Sequence, residues 1–368
     1  MPRQRSPEAG SSRPGPQPRR RLIARPAGLA ALVVLLATVS ACGGSQQAAT
    51  RAVWPGSAAT HPGIGPSHLS VAKDTSALAL NVLIADDGNN RLVSVSPRGQ
   101  VVWQKRQADP GEAFVSRTGR TLLIAENARS VMLMRRVDNY RISYVYGLAG
   151  HPGAGEDRLS DPQTALETVT GEIVIADHDN CRVLLLTTSS VRPVKVLGAP
   201  GQCVHHVTSA PVSFAYPDAA FPTPDGGLVV TEQRPAWVDL LGPSDALLSA
   251  TPLPTFSAPS DANETASGEL IVTDATDPGK VVELDPTTGT SVWTYGPTSG
   301  PGELDRPAIA RVLAGGDVLV ADSGNDRVIV IDPKTDAIVW QYGHTHLAGT
   351  APGYLHDPGS ITLVPIGK

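Results

Sequence analysis

The sequence lacks the motifs that identify several common enzyme chemistries. It has no nucleophile elbow, no phosphate-binding glycine loop and no zinc-protease helix, and few segments have the periodicity of a helix that could carry one. The apolar run from Leu29 to Val39 is well short of the roughly twenty residues that span a bilayer as a helix. This apolar run is therefore too short to be a durable membrane span. The absence of these motifs means that the sequence alone assigns no reaction.

Positive charge is scarce outside the N-terminus. The whole chain has a net charge of −5, and removing residues 1–41, which hold seven Arg and one Glu, moves that charge to −11. An acidic protein is poorly suited to hold phosphate backbones or anionic headgroups by charge. We therefore expect no nucleic-acid partner.

The N-terminus has the order of a secretory signal, with an arginine-rich stretch, the apolar run and a small-residue end. Val39-Ser40-Ala41-Cys42-Gly43 resembles the lipobox of bacterial lipoproteins, in which the Cys receives a diacylglyceryl group and becomes the new N-terminus. The resemblance implies a signal peptide over residues 1–41, palmitate-type acyl chains on Cys42 and an extracytoplasmic, membrane-anchored location. Arg19-Arg20-Arg21 also resembles a twin-arginine signal, so both export routes stay open. Residues 42–65 are small, Gly- and Pro-rich, and are predicted to be a flexible tether.

A repeat organises the rest of the chain. Six short apolar strands end in a small residue and a carboxylate: Val82–Asp86, Leu122–Glu126, Ile173–Asp177, Leu228–Glu232, Leu270–Asp274 and Val318–Asp322. The carboxylates are separated by 40, 51, 55, 42 and 48 positions, a spacing that suits one four-stranded blade per repeat. The sequence thus predicts an all-β fold over residues 66–368, a six-bladed β-propeller of four-stranded antiparallel blades.

Two further signatures accompany the repeat. A Pro followed nine residues later by a Gly recurs six times, as in Pro162 and Gly171, and marks an inner strand and the turn into its partner. After the carboxylate, turns such as Asp322-Ser323-Gly324-Asn325-Asp326-Arg327 lead to a third strand. These residues resemble NHL repeats, most clearly in blades one, three and six, and the Val-Val-Trp outer strands also resemble quinoprotein-like propellers.

The strand that closes the ring is ambiguous in the sequence. Gly359 to Val364 has the pattern of an inner strand with no second strand after it, so it is suited to complete blade one from the C-terminus. Ser67 to Lys73 also has the pattern of an inner strand leading into Val82. Both segments cannot occupy the same position, and the sequence does not choose between them.

Two sets of side chains are predicted to have structural roles. Cys181 and Cys203, an even number in an oxidising compartment, are predicted to form a disulfide at one end of blade three, with a redox or metal-binding thiol pair as the alternative. Three carboxylates are followed five residues later by an arginine, and each pair is predicted to lock a turn. The pairs are Asp86 with Arg91, Asp177 with Arg182 and Asp322 with Arg327.

Histidines concentrate on the face where the second-to-third-strand loops and the blade-to-blade loops emerge, which we call the loop face. Propeller lyases and lactonases of similar architecture bind a divalent metal near the axis, which makes these side chains candidate metal ligands. The candidates are His151, His178, His206, His344, His346 and His356. The inner-strand acids Glu112, Asp218 and Asp261 could complete such a site or line the channel. No cofactor is required by the sequence.

Two function classes follow. The first is a binding scaffold that is anchored in the cell envelope and presents its loop face to a protein, peptide or glycan partner. The second is a metal-dependent extracytoplasmic lyase or hydrolase with its site at the channel mouth. The fold alone does not decide, because propellers include both binders and enzymes. The longer spacings of blades two and three predict the partner's position near residues 148–160 and 199–212.

Overall fold

The computed structural model describes residues 78, 80–198, 201–204 and 213–364. These residues form six four-stranded antiparallel sheets, the blades of a propeller. Blade one holds β1 (Asn81–Asp86), β2 (Arg91–Val95) and β3 (Val101–Arg106). Blade two holds β4 (Glu112–Val115), β5 (Thr121–Glu126), β6 (Val131–Arg136) and β7 (Ile142–Gly147). Blade three holds β8 (Pro162–Glu167), β9 (Ile173–Asp177), β10 (Arg182–Leu186) and β11 (Lys195–Gly198).

The second half of the chain forms the remaining blades. Blade four holds β12 (Pro217–Pro222), β13 (Leu228–Glu232), β14 (Trp237–Leu241) and β15 (Leu247–Pro252). Blade five holds β16 (Pro259–Glu264), β17 (Leu270–Asp274), β18 (Lys280–Leu284) and β19 (Ser291–Tyr295). Blade six holds β20 (Pro307–Val312), β21 (Val318–Asp322), β22 (Arg327–Asp332) and β23 (Ala337–Gly343), and the chain ends its described part with β24 (Pro358–Val364).

The ring is closed by the C-terminal strand. β24 pairs antiparallel with β1, with Ile361 opposite Ile84, and it is the inner strand of blade one. Each inner strand contacts the next around the axis, in the order β24, β4, β8, β12, β16, β20 and back to β24. Of the two segments that the sequence offered for this position, the structure places the C-terminal one there. Ser67 to Lys73 lies outside the described residues.

The burial of each strand follows from its place in the blade. The second strands, such as β1 and β21, are buried along their whole length because both of their faces pack against neighbouring blades. This explains their continuous apolar sequences. Outer strands such as β3 and β19 are largely exposed. In the part of the chain that the structure describes, no helix is long and apolar enough to cross a membrane.

The turns after the second strands differ among the blades. Blades one, three and six use a short 3₁₀ turn that ends in a left-handed residue, namely Asn90, Cys181 and Asp326. Blades four and five instead have cis peptide bonds before Pro235 and Pro278. The 3₁₀ turns thus occur in the three blades whose sequences share the repeat pattern most clearly.

Candidate functional site

The carboxylates that end the second strands hold the loops that lead into the inner strands. In blade three, Asp177 accepts hydrogen bonds from the backbone N of Ser160 (2.7 Å), Nδ2 of Asn180 (2.8 Å) and Nε of Arg182 (2.6 Å). The equivalent carboxylates of blades one and six accept the same three kinds of donor. These turns therefore tie each loop to its own blade.

The paired guanidinium groups extend the same network. Arg327 donates to Asp322 (2.7 Å) and to the carbonyl oxygens of Pro301 (3.1 Å) and Glu303 (2.9 Å), and its side chain is only 1% exposed. Burial raises the pKa of Asp322, and the charge of Arg327 opposes that rise. The hydrogen-bonding groups of these pairs are engaged within the fold, so the pairs hold loops in place and offer little to a ligand.

The two cysteines of blade three are joined. Cys181 and Cys203 form a disulfide with a Cα–Cα distance of 5.1 Å. Cys181 directly precedes β10, and Cys203 follows β11, the strand that pairs with it. The bond fixes the loop-face end of the outer hairpin of blade three.

The candidate histidines are dispersed over the loop face. His151, His346 and His356 are exposed, and His356 packs against Gly88. The ring of His344 lies 4.4 Å from that of Tyr354, between ring centroids. None of these four belongs to a group of three potential metal ligands among the described residues. His206 lies outside the described residues.

His178 is the exception, because it lies among carboxylates. Its Nδ1 is 3.0 Å from Oδ1 of Asp179 and 3.7 Å from Oδ2 of Asp161, and these three side chains form a group whose ligand atoms lie within 4.8 Å of one another. Its Nε2 is buried and lies 3.8 Å from Oδ1 of Asp218, beyond hydrogen-bonding distance. An imidazole with two carboxylates is a donor set that zinc or a similar divalent ion accepts, and Asp218 lies on the other side of the ring.

Carboxylates line the loop-face end of the channel in five consecutive blades. The residue directly before the inner-strand proline is Asp357, Asp109 and Asp161 in blades one, two and three, each with a positive φ of 51°, 49° and 53°. Further acids come from the inner strands of blades two, four and five and from the first turn of blade one. We call this set the acidic mouth: Asp87, Asp109, Glu112, Asp161, Asp218, Asp261 and Asp357. Blade six instead contributes Arg311, and its exposed Arg306 pairs with Asp305 of the same loop.

The acids of the mouth act on one another electrostatically. Burial raises the pKa of Asp87 to about 6, with Asp109 and Asp357 adding to the rise. Burial also raises the pKa of Asp218 to about 7, which His178 opposes.

The pKa of Glu112 lies well above its usual range, first because of burial and then because of the charges of Asp261 and Asp218. Repulsion between neighbouring acids thus acts both at the rim and at the inner strands of the acidic mouth.

Several polar atoms at the axis have no hydrogen-bond partner in the structure. They include Oε2 of Glu112, Oδ1 of Asp261 and Nη2 of Arg311. Asp261 is only 1% exposed, and its other oxygen accepts a hydrogen bond from Nη1 of Arg311 (2.9 Å). Because an unpaired buried polar atom costs about 1–3 kcal/mol, the arrangement is suited to a ligand that both donates and accepts hydrogen bonds.

Aromatic rings lie deeper along the inner strands. The guanidinium carbon of Arg311 lies 4.1 Å from the ring centroid of Phe221, and Phe221 meets Phe114 edge to face with centroids 5.6 Å apart. Cation–π contact and the Asp261 ion pair together fix the position of Arg311. The axis therefore presents one immobilised cation and three carboxylates, those of Glu112, Asp218 and Asp261, to anything that enters from the loop face.

A separate cavity of about 510 Å³ lies between blades one and two. Its lining, which includes Leu83, Val102, Trp103, Val115 and Leu122, is mainly apolar and has no charged side chain. Binding and catalytic sites combine an enclosed surface with a few convergent polar groups and perturbed pKa values. We place the candidate site at the acidic mouth, where those groups are, and not at this cavity.

Sequence reasoning found part of this site. Glu112, Asp218, Asp261 and His178 were candidates, whereas Asp161 and Arg311 were not. An Asp directly before the inner-strand Pro in three successive blades was a usable signal for the rim. For Arg311 no such signal exists, because an arginine late in an inner strand is indistinguishable in sequence from one that faces solvent.

Comparison with known proteins supports the architecture. The family of the outer membrane protein assembly factor BamB matches residues 217–352, which span blades four to six. A Bacteroides caccae protein of unknown function is 17% identical, with 71% of this chain and 93% of that chain aligned at a TM-score of 0.53. A streptogramin B lyase structure is 18% identical, with 73% of this chain and 80% of that chain aligned at a TM-score of 0.51. At these identities the structural matches establish the propeller fold only, and no curated protein sequence matches the chain.

Proposed function

We propose that the protein is an extracytoplasmic β-propeller scaffold, anchored in the membrane by a lipid on Cys42, that binds a protein or peptide partner on its loop face. The observation that carries the proposal is the acidic mouth, where buried polar atoms converge without partners. The match of residues 217–352 to an outer membrane assembly factor favours a protein partner over a glycan. In this proposal residues 1–41 are the signal peptide, residues 42–65 are the tether and the blades are NHL-like.

Site-specific photo-crosslinking in intact cells tests the loop face. A crosslinking amino acid at exposed His151 on the loop face should give a discrete crosslinked product. The same amino acid at exposed Lys334, in the turn between β22 and β23 on the opposite face, is the matched control. Products of equal yield from both faces, or from neither, would argue against a loop-face scaffold.

Point replacement is preferable to trimming the loop that precedes blade three. Arg182 donates hydrogen bonds to the carbonyl oxygens of Ala154 and Arg158, and Leu159 is fully buried. Deleting residues 148–160 would therefore disturb the fold as well as the surface. A Cys42→Ala variant tests the anchor separately, since loss of the lipid should move the protein from the membrane fraction to the soluble one.

A metal-dependent lyase or hydrolase is the second candidate function, favoured by the group formed by Asp161, His178 and Asp179. The streptogramin B lyase among the structural matches shares the fold and provides no site residues. Elemental analysis of the purified protein after dialysis tests this candidate. Near-stoichiometric zinc, copper or calcium that is lost in His178→Ala but kept in His151→Ala would favour the enzyme, and a metal-free protein would favour the scaffold.

A further inference from the structure

The acidic mouth holds more carboxyl groups than cations, and a cationic ligand would favour the ionised forms of Glu112 and Asp218, whose pKa values burial raises. Glu112, Asp218 and Asp261 face a single fixed guanidinium, that of Arg311, and Asp261 already pairs with it. The rim adds Asp87, Asp109, Asp161 and Asp357, which extends the negative potential outward from the axis. A concave surface lined by one sign of charge attracts ligands of the opposite sign and orients them before contact.

The polar atoms without a hydrogen-bond partner further restrict the class of ligand. Two of them, Oε2 of Glu112 and Oδ1 of the almost fully buried Asp261, are hydrogen-bond acceptors in the ionised carboxylates, whereas Nη2 of Arg311 is a donor. A metal ion can satisfy only the acceptors. In addition, Glu112, Asp218 and Asp261 do not form a group with ligand atoms within 4.8 Å among the described residues, so one ion cannot bridge all three at coordination distance.

A guanidinium group fits these conditions better than a metal or an ammonium. It is a planar fork with five N–H donors that can reach separated carboxylates, and it is more weakly hydrated than the ammonium of lysine. A peptide that carries it also supplies backbone carbonyl oxygens, which can accept from Arg311. The molecule already binds one guanidinium at this place, since Arg311 lies over Phe221 and pairs with Asp261.

We propose that the acidic mouth binds an arginine side chain of a peptide segment in the partner, with Glu112 and Asp218 as its principal acceptors and Arg311 donating to the peptide backbone. This inference rests on the proposed scaffold function and names the chemistry of its partner. In this arrangement the backbone of the bound peptide segment faces blade six, which contributes no acid to the set.

Fluorescence anisotropy on the full-length protein tests the inference. The probe is a fluorescein-labelled glycine-serine peptide carrying one arginine, compared with matched peptides carrying lysine or citrulline. Charge-assisted, forked hydrogen bonds to buried carboxylates should make the arginine peptide bind about tenfold or more tightly than the citrulline peptide, with the lysine peptide between them.

Variants locate the binding. Glu112→Gln and Asp218→Asn should each remove the preference for arginine, whereas Asp138→Asn, which changes an exposed carboxylate in the turn between β6 and β7, should keep it. A cooperative thermal unfolding transition shows that each variant is folded, whatever its midpoint. Equal binding of the arginine and citrulline peptides, or a preference that survives Glu112→Gln in a folded protein, would overturn the inference.

The photo-crosslinking experiment separates the two proposals. If the His151 crosslink forms in wild-type cells and is lost in Glu112→Gln, both proposals are supported. If it forms equally in both, the scaffold function stands and the arginine inference fails. If no crosslink forms in wild-type cells, the scaffold proposal fails, whatever the peptide measurements give.

Discussion

The three carboxylate–arginine turns allow one structural idea to be tested three times in a single molecule. Replacing Arg327, Arg182 or Arg91 with Met removes the same ion pair in blades six, three and one. The arginine side chains differ in exposure, at 1%, 3% and 14% respectively. If burial sets the cost of leaving the carboxylate unpaired, the loss of stability should follow that order.

The expected magnitudes come from the environment of each pair. Breaking a buried ion pair by removing one partner costs about 3–5 kcal/mol, and Arg327→Met also leaves the carbonyl oxygens of Pro301 and Glu303 without a donor. Water can reach the pair of Arg91, so we expect a cost of about 1–2 kcal/mol there. Arg136→Met is the control, because Arg136 and Asp138 are 56% and 58% exposed and solvent screens their pair, so its loss should change stability little.

Urea denaturation of each variant, followed by tryptophan fluorescence, measures these differences in unfolding free energy. A pH series adds an independent check. Burial already raises the pKa of Asp322 above its unfolded value, and removing Arg327 should raise it further. A raised carboxyl pKa makes the folded state bind more protons, so the penalty grows as pH rises, and the deficit of Arg327→Met should be smaller near pH 5 than near pH 8. An Arg91 variant as unstable as the Arg327 variant, or a deficit independent of pH, would refute the reasoning.

Three other predictions concern the axis, the disulfide and the closing strand. Burial raises the pKa of Asp218 to about 7, so its ionisation increasingly opposes folding as pH rises from about 4 to 7. The melting temperature of Asp218→Asn should therefore exceed that of wild type near pH 8 but not near pH 4. The Cys181→Ser, Cys203→Ser double variant should lose about 3 kcal/mol in urea denaturation, as reduced wild type should, because the bond joins residues separated by 22 positions. Ile361 is fully buried in the closing strand, so Ile361→Ala should cost about 3 kcal/mol and Ile361→Val about 1 by the same assay; near-neutral effects would mean that this strand does not close the ring.

The blade architecture could be predicted because its causes are local. A second strand buried on both faces needs a continuous apolar run, and the tight turn into it needs a glycine, as the positive φ of Gly171 and Gly316 shows. The buried second strand recurs in every blade and the glycine turn in blades two to six, so both appear in the sequence as a period. Ring closure could not be predicted, because Ile84 and Ile361 meet through the fold and two segments had the pattern of an inner strand.

The candidate site depends on contacts that no local pattern records. His178 meets Asp161 at the adjacent ends of β9 and β8, and Phe114 of blade two meets Phe221 of blade four. A histidine count on the loop face gave six candidates of equal standing, and packing separated them. His344 lies against Tyr354, whereas the Nε2 of His178 is buried near Asp218 without a hydrogen-bond partner.

The repetition of residues around the ring distinguishes structural residues from those of the candidate site. A group that repeats in every blade, such as the carboxylate ending each second strand, has the same task six times, and its bonds to the neighbouring loop show that the task is structural. The axis breaks this symmetry. The acids of the acidic mouth come from five blades, while blade six supplies Arg311, and polar atoms of both Asp261 and Arg311 remain without a hydrogen-bond partner. A ligand that is cationic on one side and hydrogen-bond accepting on the other is oriented by such a ring in one way, and this polarity is why we assign the binding function to the acidic mouth.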